Sequence, residues 1–270
     1  PSVKGFAPKN LTLAAGIDER RLDDRKSLVT QFDRYRRDLD LAGSMGGTED
    51  FRQAAFNMLT SNKVADAFDL SKEDDTLRDR YGRHRWGQNC LLARRLAEAG
   101  SAVINVDATA PSNKSEYFSW DDHAGPFHLV HANLERFPQY DQAITALIED
   151  LHERGLDRKV LVVACGEFGR TPRLTRRATF PGKKGGPWLG RDHWPNAFSA
   201  LIAGGGLRMG QVVGSTNSKA EHPLHDPVTP QDLMATIYRH LGIDVTRGLV
   251  NFSGRPIPIL YDGQPISQLV

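Results

Sequence analysis

Lys159-Val160-Leu161-Val162-Val163-Ala164-Cys165-Gly166-Glu167-Phe168-Gly169-Arg170-Thr171-Pro172 is the stretch on which the reading of the fold turns. Its apolar run from Val160 to Ala164 is too short for a helix and has the near-continuous character of a strand buried on both faces. Two turn-forming glycines follow, Gly166 and Gly169, so Glu167 falls at the carboxyl edge of the sheet. A carboxylate on a constrained turn can hold a metal ion, and Arg170 offers a planar fork of donors for an oxyanion. The plainer alternative is that Glu167 and Arg170 pair and brace the loop.

Upstream, Phe137, Tyr140, Ile144, Leu147 and Leu151 fall on one face of a long helix that Gly155 stops. Before that helix, Ala102-Val103-Ile104-Asn105-Val106 reads as a short β-branched strand. Strand, helix and strand predict a right-handed parallel crossover. Residues 84 to 98 place Trp86, Cys90, Ala93 and Ala97 on one helical stripe ending at Gly100. Residues 1–80 alternate charged helix-like segments with breaks at Gly43 to Gly47 and at Ser61-Asn62. Their apolar Leu28, Phe32, Tyr35 and Leu39 sit at helical spacing, which predicts packing rather than chemistry.

Downstream, a Gly-, Pro- and Arg-rich loop runs from about Arg170 to Pro195, and Ala197 to Ala203 reads as another strand closed by Gly204-Gly205-Gly206. Thr229-Pro230-Gln231-Asp232 is an N-cap followed by Pro at the first helical position. It opens a helix through Leu233, Ile237 and Leu241 that stops at Gly242. The expected class is α/β, a mostly parallel sheet flanked by helices, with a helical segment over 1–80 and the main unit over 81–270.

With 270 residues, 39% hydrophobic and 25% charged, the chain can bury a sizeable core. Lys+Arg 35 against Asp+Glu 33 leaves +2, so no general field draws nucleic acid or a membrane surface. Two cysteines, Cys90 and Cys165, do not make a disulfide framework. No apolar stretch approaches the roughly 20 residues of a membrane span. Pro1-Ser2-Val3-Lys4 has neither an initiator Met nor a signal-like apolar region, so the start is expected to be a processed or truncated end.

Two further motifs carry chemistry. Trp120-Asp121-Asp122-His123 follows the first expected strand, where an Asp and a His can offer O and N ligands to a cation such as Zn²⁺ or Mn²⁺. Its bland reading is a solvated loop with Asp122 in an Asx-turn. Gly190-Arg191-Asp192-His193-Trp194-Pro195 leads into the third expected strand and brings His193 to the sheet, with Asp192 as ligand or as orienter of a ligand. A buried His bonded to a carbonyl is the alternative. Arg173, Arg176, Arg177, Lys183 and Lys184 make a local basic loop that can steer a polyanion or is merely solvated. His222 and His225 are read as structural or exposed. Neither a nucleophile elbow nor a phosphate-binding glycine fingerprint occurs.

On these residues, with Ala203-Gly204-Gly205-Gly206 and Pro227-Val228-Thr229-Pro230-Gln231-Asp232-Leu233, the chain resembles the bacterial family called domain of unknown function 1501, a branch of the alkaline phosphatase and sulfatase superfamily. The resemblance covers roughly residues 80 to 262 and implies an alkaline-phosphatase-like sandwich. It implies Asp121, His123 and His193 as ligands of a first divalent cation, with Zn, Mn, Ca and Mg not distinguished. Glu167 stands where the superfamily has a strand-end Asp ligand and Phe168 where it has the partner His, so a second metal loses an imidazole. The superfamily's nucleophile and first Asp ligand lie early in the domain, and residues 1–80 do not resemble that region. The chain is therefore expected to be the C-terminal portion of a longer protein that is periplasmic or extracellular.

The implied activity is metal-dependent hydrolysis of phosphate or sulfate esters, with Arg170 stabilising the transferring anion and a small-molecule or glycan ester as substrate. The alternative is a non-catalytic extracytoplasmic binding or structural module on the same fold.

Overall fold

The computed structural model describes residues 62–111, 120–125, 128–179 and 186–270, with isolated positions between 18 and 28. The spacing of Phe32, Tyr35 and Leu39, the break at 43–47 and the side chains of Lys183 and Lys184 lie outside the described residues.

Helix α1 spans Asn62–Phe68, α2 spans Asp75–Tyr81 and α3 spans Arg85–Glu98, with a single 3₁₀ turn at Leu70–Lys72 between the first two. Asp74 caps α2 by accepting the Thr76 N–H at 2.7 Å. The stripe expected in α3 is the buried one, since Trp86, Cys90 and Ala93 all face the interior. Helix α4, Leu129–Glu153, packs along α3 and ends where expected. Gly155 takes φ 66, and the Leu156 N–H bonds the Leu151 carbonyl at 2.8 Å, closing the helix with a left-handed residue.

The core lies between α2, α3 and α4 and includes Tyr81, Trp86, Leu91, Ala143, Leu147 and Leu151. Trp86 stacks on Trp120 at 5.6 Å between ring centroids and meets Tyr140 edge-on at 6.4 Å. One buried polar cluster ties these helices together. Arg94 pairs with Asp150 at 2.9 Å, Glu73 at 2.8 Å and Glu98 at 2.6 Å, and the Tyr81 hydroxyl donates to Asp150 at 2.8 Å.

The remaining elements are β1 Leu161–Ala164, β2 Gly169–Arg170, β3 Thr175–Arg177, β4 Trp188–Gly190, β5 His193–Trp194, β6 Leu201–Gly204, β7 Ser215–Thr216, β8 Pro223–His225, α5 Pro230–His240, β9 Gly248–Val250 and β10 Pro256–Pro258. Helix α5 opens on the expected cap: the Asp232 N–H donates to Thr229 Oγ1 at 3.2 Å, and the Thr229 N–H donates to Asp232 Oδ2 at 2.8 Å.

The sheet departs from expectation. Among the described residues every ladder is antiparallel and two-stranded, so the chain has mixed helix and strand content with small antiparallel sheets. Strand β1 pairs with β6, Leu161 opposite Gly204 and Ala164 opposite Leu201. Among the described residues, 102–106 form no strand and join no ladder, and Val103 is 75% exposed. The parallel crossover is therefore not formed there. β-branched residues record a fit to a pleated, half-buried surface, and pairing is decided by which edge is available. The loop expected over 170–195 also contains structure, a nested pair of ladders with β2 on β5 outside and β3 on β4 inside.

Candidate metal centre

The ladders of that nested hairpin set the site. In the β2–β5 pair Arg170 lies directly opposite His193, and directly opposite residues on one face are close neighbours. The third contribution comes from residues 120–124. Trp120 anchors this segment by donating its indole N–H to the Ala108 carbonyl at 2.7 Å and by stacking in the core. Gly190 in β4 lies flat against it, since a Cβ there would stand 1.8 Å from the Ala124 nitrogen and 2.3 Å from the Asp122 carbonyl oxygen. The Arg191 N–H donates to that same carbonyl at 2.7 Å, so loop and strand are joined backbone to backbone.

This docking brings Asp121, His123 and His193 together, with one ligand atom of each within 4.8 Å of the others. Asp121 Oδ1 is 2.7 Å from His123 Nε2 and 2.8 Å from His193 Nε2, and the two imidazole nitrogens are 2.9 Å apart. Behind His123, Asp192 Oδ1 faces Nδ1 at 2.9 Å, and Thr175 donates to the other Asp192 oxygen at 2.6 Å. A carboxylate on Nδ1 fixes the proton there and leaves the Nε2 lone pair facing the cluster. His123 Nε2 then lies 2.7 Å from the Asp121 oxygen and 2.9 Å from His193 Nε2, so atoms able to ligate a cation crowd one point. Tetrahedral Zn²⁺ at roughly 2.0–2.1 Å from each donor sets neighbouring ligand atoms about 3.3 Å apart. A small outward shift of the side chains would meet that spacing, and the side chains of Asp121 and His193 are about half exposed. The donor set, one carboxylate and two imidazoles, suits a divalent cation.

The surrounding charges act on the carboxylates. Partial burial pushes Asp121 up, but hydrogen bonds from His193 and Arg170 and the nearby positive charges outweigh it and hold the carboxyl down to about 2. Asp192 is lowered by the Thr175 and His123 hydrogen bonds. Arg170 donates to Asp121 Oδ1 at 2.8 Å, with its guanidinium carbon 5.8 Å from the centre of the Phe168 ring. Phe168 in turn packs on His193, ring centroids 4.2 Å apart.

Of the residues expected from the sequence, the structure gathers Asp121, His123 and His193 in one cluster, with Asp192 behind a ligand and Arg170 beside it. Glu167 is exposed on the turn after β1 and is not part of that cluster. Cys90 and Cys165 are both free thiols, and burial pushes the Cys90 thiol up to about 12. Sequence reasoning passed over Thr175 and Arg136. Arg136 left a signal, a charged residue in register with Ala132, Ala143 and Leu147 on the buried face of α4.

Residues 2–270 match the model of a family described as protein of unknown function (DUF1501). The chain belongs to that family. No curated protein and no solved structure matches it. In this DUF1501 member Asp121, His123 and His193, with Asp192 and Arg170 beside them, all lie inside the matched span.

Proposed function

We propose that this chain carries the divalent-cation centre of a hydrolase of phosphate or sulfate esters, held on an alkaline-phosphatase-like scaffold and working outside the cytoplasm. The observation that carries the reading is the convergence of Asp121 Oδ1, His123 Nε2 and His193 Nε2 beside Arg170. The scaffold and the export rest on the family resemblance alone. A bound divalent cation supplies Lewis acidity at an ester oxygen and activates water. Asp121, His123 and His193 hold that cation, and Asp192 keeps His123 in the ligating tautomer. Arg170, on the rim of the cluster, offers positive charge to the anionic group of the ester. Exposed Arg176 and Arg177 extend that charge along β3 and favour a polyanionic substrate such as a sulfated glycan.

A non-catalytic binding or structural module with the same cation is the second reading, and two observations favour it. The apolar Phe168 ring covers one side of His193. The nearby hydroxyls are already engaged, Thr171 donating to the Arg173 carbonyl at 2.9 Å and Thr175 to Asp192 at 2.6 Å. Hydrolysis of nitrophenyl phosphate and sulfate, assayed with Zn²⁺ and Mn²⁺, separates the two. The hydrolase reading expects turnover that His193→Ala abolishes. Metal binding without turnover of either ester, or of a sulfated glycan, leaves the module.

A further inference from the structure

We infer that Asp122 and Arg136 are positioning residues for the metal centre, a buried ion pair that fixes the ligand segment on helix α4. The inference rests on the cation reading above and explains how two ligands from an irregular segment are held in place. Successive residues of 121–123 project to opposite sides: Asp121 and His123 enter the ligand cluster, while Asp122 between them turns inward and is 4% exposed. There its Oδ2 accepts from Nη2 of Arg136, whose side chain is fully buried on α4.

Asp122 is thus gripped at two points, its carboxylate by α4 and its carbonyl by the Arg191 N–H of the segment that carries Asp192 and His193. Asp121 and His123 are the immediate neighbours of this residue, and His193 lies two residues beyond the Arg191 that its carbonyl holds. The Arg136 guanidinium also lies 4.7 Å from the centre of the Trp120 ring, at the start of the same segment.

The pair is an expensive way to make a core. Among the described residues Arg136 Nε and Nη1 and Asp122 Oδ1 have no hydrogen-bond partner. Removing two charges from water without satisfying their remaining valences adds little stability, whereas a buried polar pair can specify register. Here the register fixed is that of the loop on the helix, and a slip of one residue would turn His123 inward and Asp122 outward.

Two disruptive variants, one conservative variant and two readouts test this. Arg136→Met removes the guanidinium alone, and Asp122→Asn with Arg136→Met removes both charges and leaves none unpaired. Binding of Co²⁺ is followed by its visible absorption, and amide hydrogen exchange is measured without metal. Both variants are expected to bind Co²⁺ about 10- to 100-fold more weakly with an altered spectrum, as for other residues that orient ligands. Exchange is expected to rise at residues 121–124 and 190–193 while the α3–α4 core stays protected, and Arg136→Lys is expected to restore part of both signals. Wild-type Co²⁺ affinity and spectrum in the double variant, or unchanged exchange over 121–124, overturns the positioning role. Failure of the wild type to bind Co²⁺ sinks the cation reading instead, and the exchange result then decides the positioning role by itself.

Discussion

At the scale of single residues, Asp192 is the group whose role changes most between sequence and structure. Read along the chain it is ligand or orienter with equal ease, because Asp-His adjacency does not say which side chain reaches the cation. In the structure it lies behind His123 and is itself held by Thr175. Asp192→Ala removes the acceptor that fixes the Nδ1 proton and frees the ring to rotate. The expected effect is a 10- to 100-fold loss of Zn²⁺ affinity with the fold intact, checked by titration against a chelating indicator. Wild-type affinity in that variant would remove Asp192 from the site.

At the scale of elements, α2, α3 and α4 are joined by the cluster around Arg94 as well as by their apolar faces. Burial pushes the Asp150 carboxyl up, but hydrogen bonds from Arg154 and Tyr81 and the Arg94 charge outweigh it and hold it below its usual value. Glu73 is depressed in the same way, burial being outweighed by Arg94 and Arg95. A carboxylate depressed in the folded state contributes stability that is complete above its unfolded pKa, about 4, and is lost as pH falls through the folded value. Acid unfolding should therefore steepen below about pH 4. Asp150→Asn should be less stable at neutral pH by about 1–3 kcal/mol, since Arg94 keeps Glu73 and Glu98 as partners, and should show a shallower acid slope. Denaturant melts at a series of pH values check both, and parallel slopes for the two proteins would remove Asp150 from the cause.

The helices were legible because their periodicity, caps and stop residues are all local. Thr229-Pro230-Gln231-Asp232 reads as a helix start and is one, and Gly100, Gly155 and Gly242 lie just past helix ends, each at positive φ. The strands were less so. Leu161 to Ala164 is a strand as its composition says, yet nothing in those residues tells that β6 runs against it. The same holds for the 170–195 segment, where Gly and Pro suggested irregular chain and the long-range pairs Arg170 with His193 and Thr175 with Gly190 instead build ladders.

At the scale of the whole molecule, no helix among the described residues is long and apolar enough to cross a membrane. Among the described residues the sheets are two-stranded with no further strand at their edges, and large apolar side chains stand in solvent, with Phe252 and Val212 almost fully exposed and Val250 71% exposed. Open edges beside apolar surface favour association. Light scattering of the isolated chain should show self-association that grows with concentration, and Val250→Lys with Phe252→Lys on the β9–β10 hairpin should reduce it. A strictly monomeric chain at high concentration would show that these surfaces carry no such drive.

Binding of a cation to the folded state alone also raises stability, by about 2.7 kcal/mol at a free concentration 100 times Kd. Elemental analysis decides whether Asp121, His123 and His193 hold a divalent cation. The purified chain, His123→Ala and His193→Ala are dialysed against a weak chelator and their metal content is measured. One equivalent of a divalent metal in the wild type, lost in both variants, is the predicted result. A wild type without metal, or variants that keep it, would contradict the site.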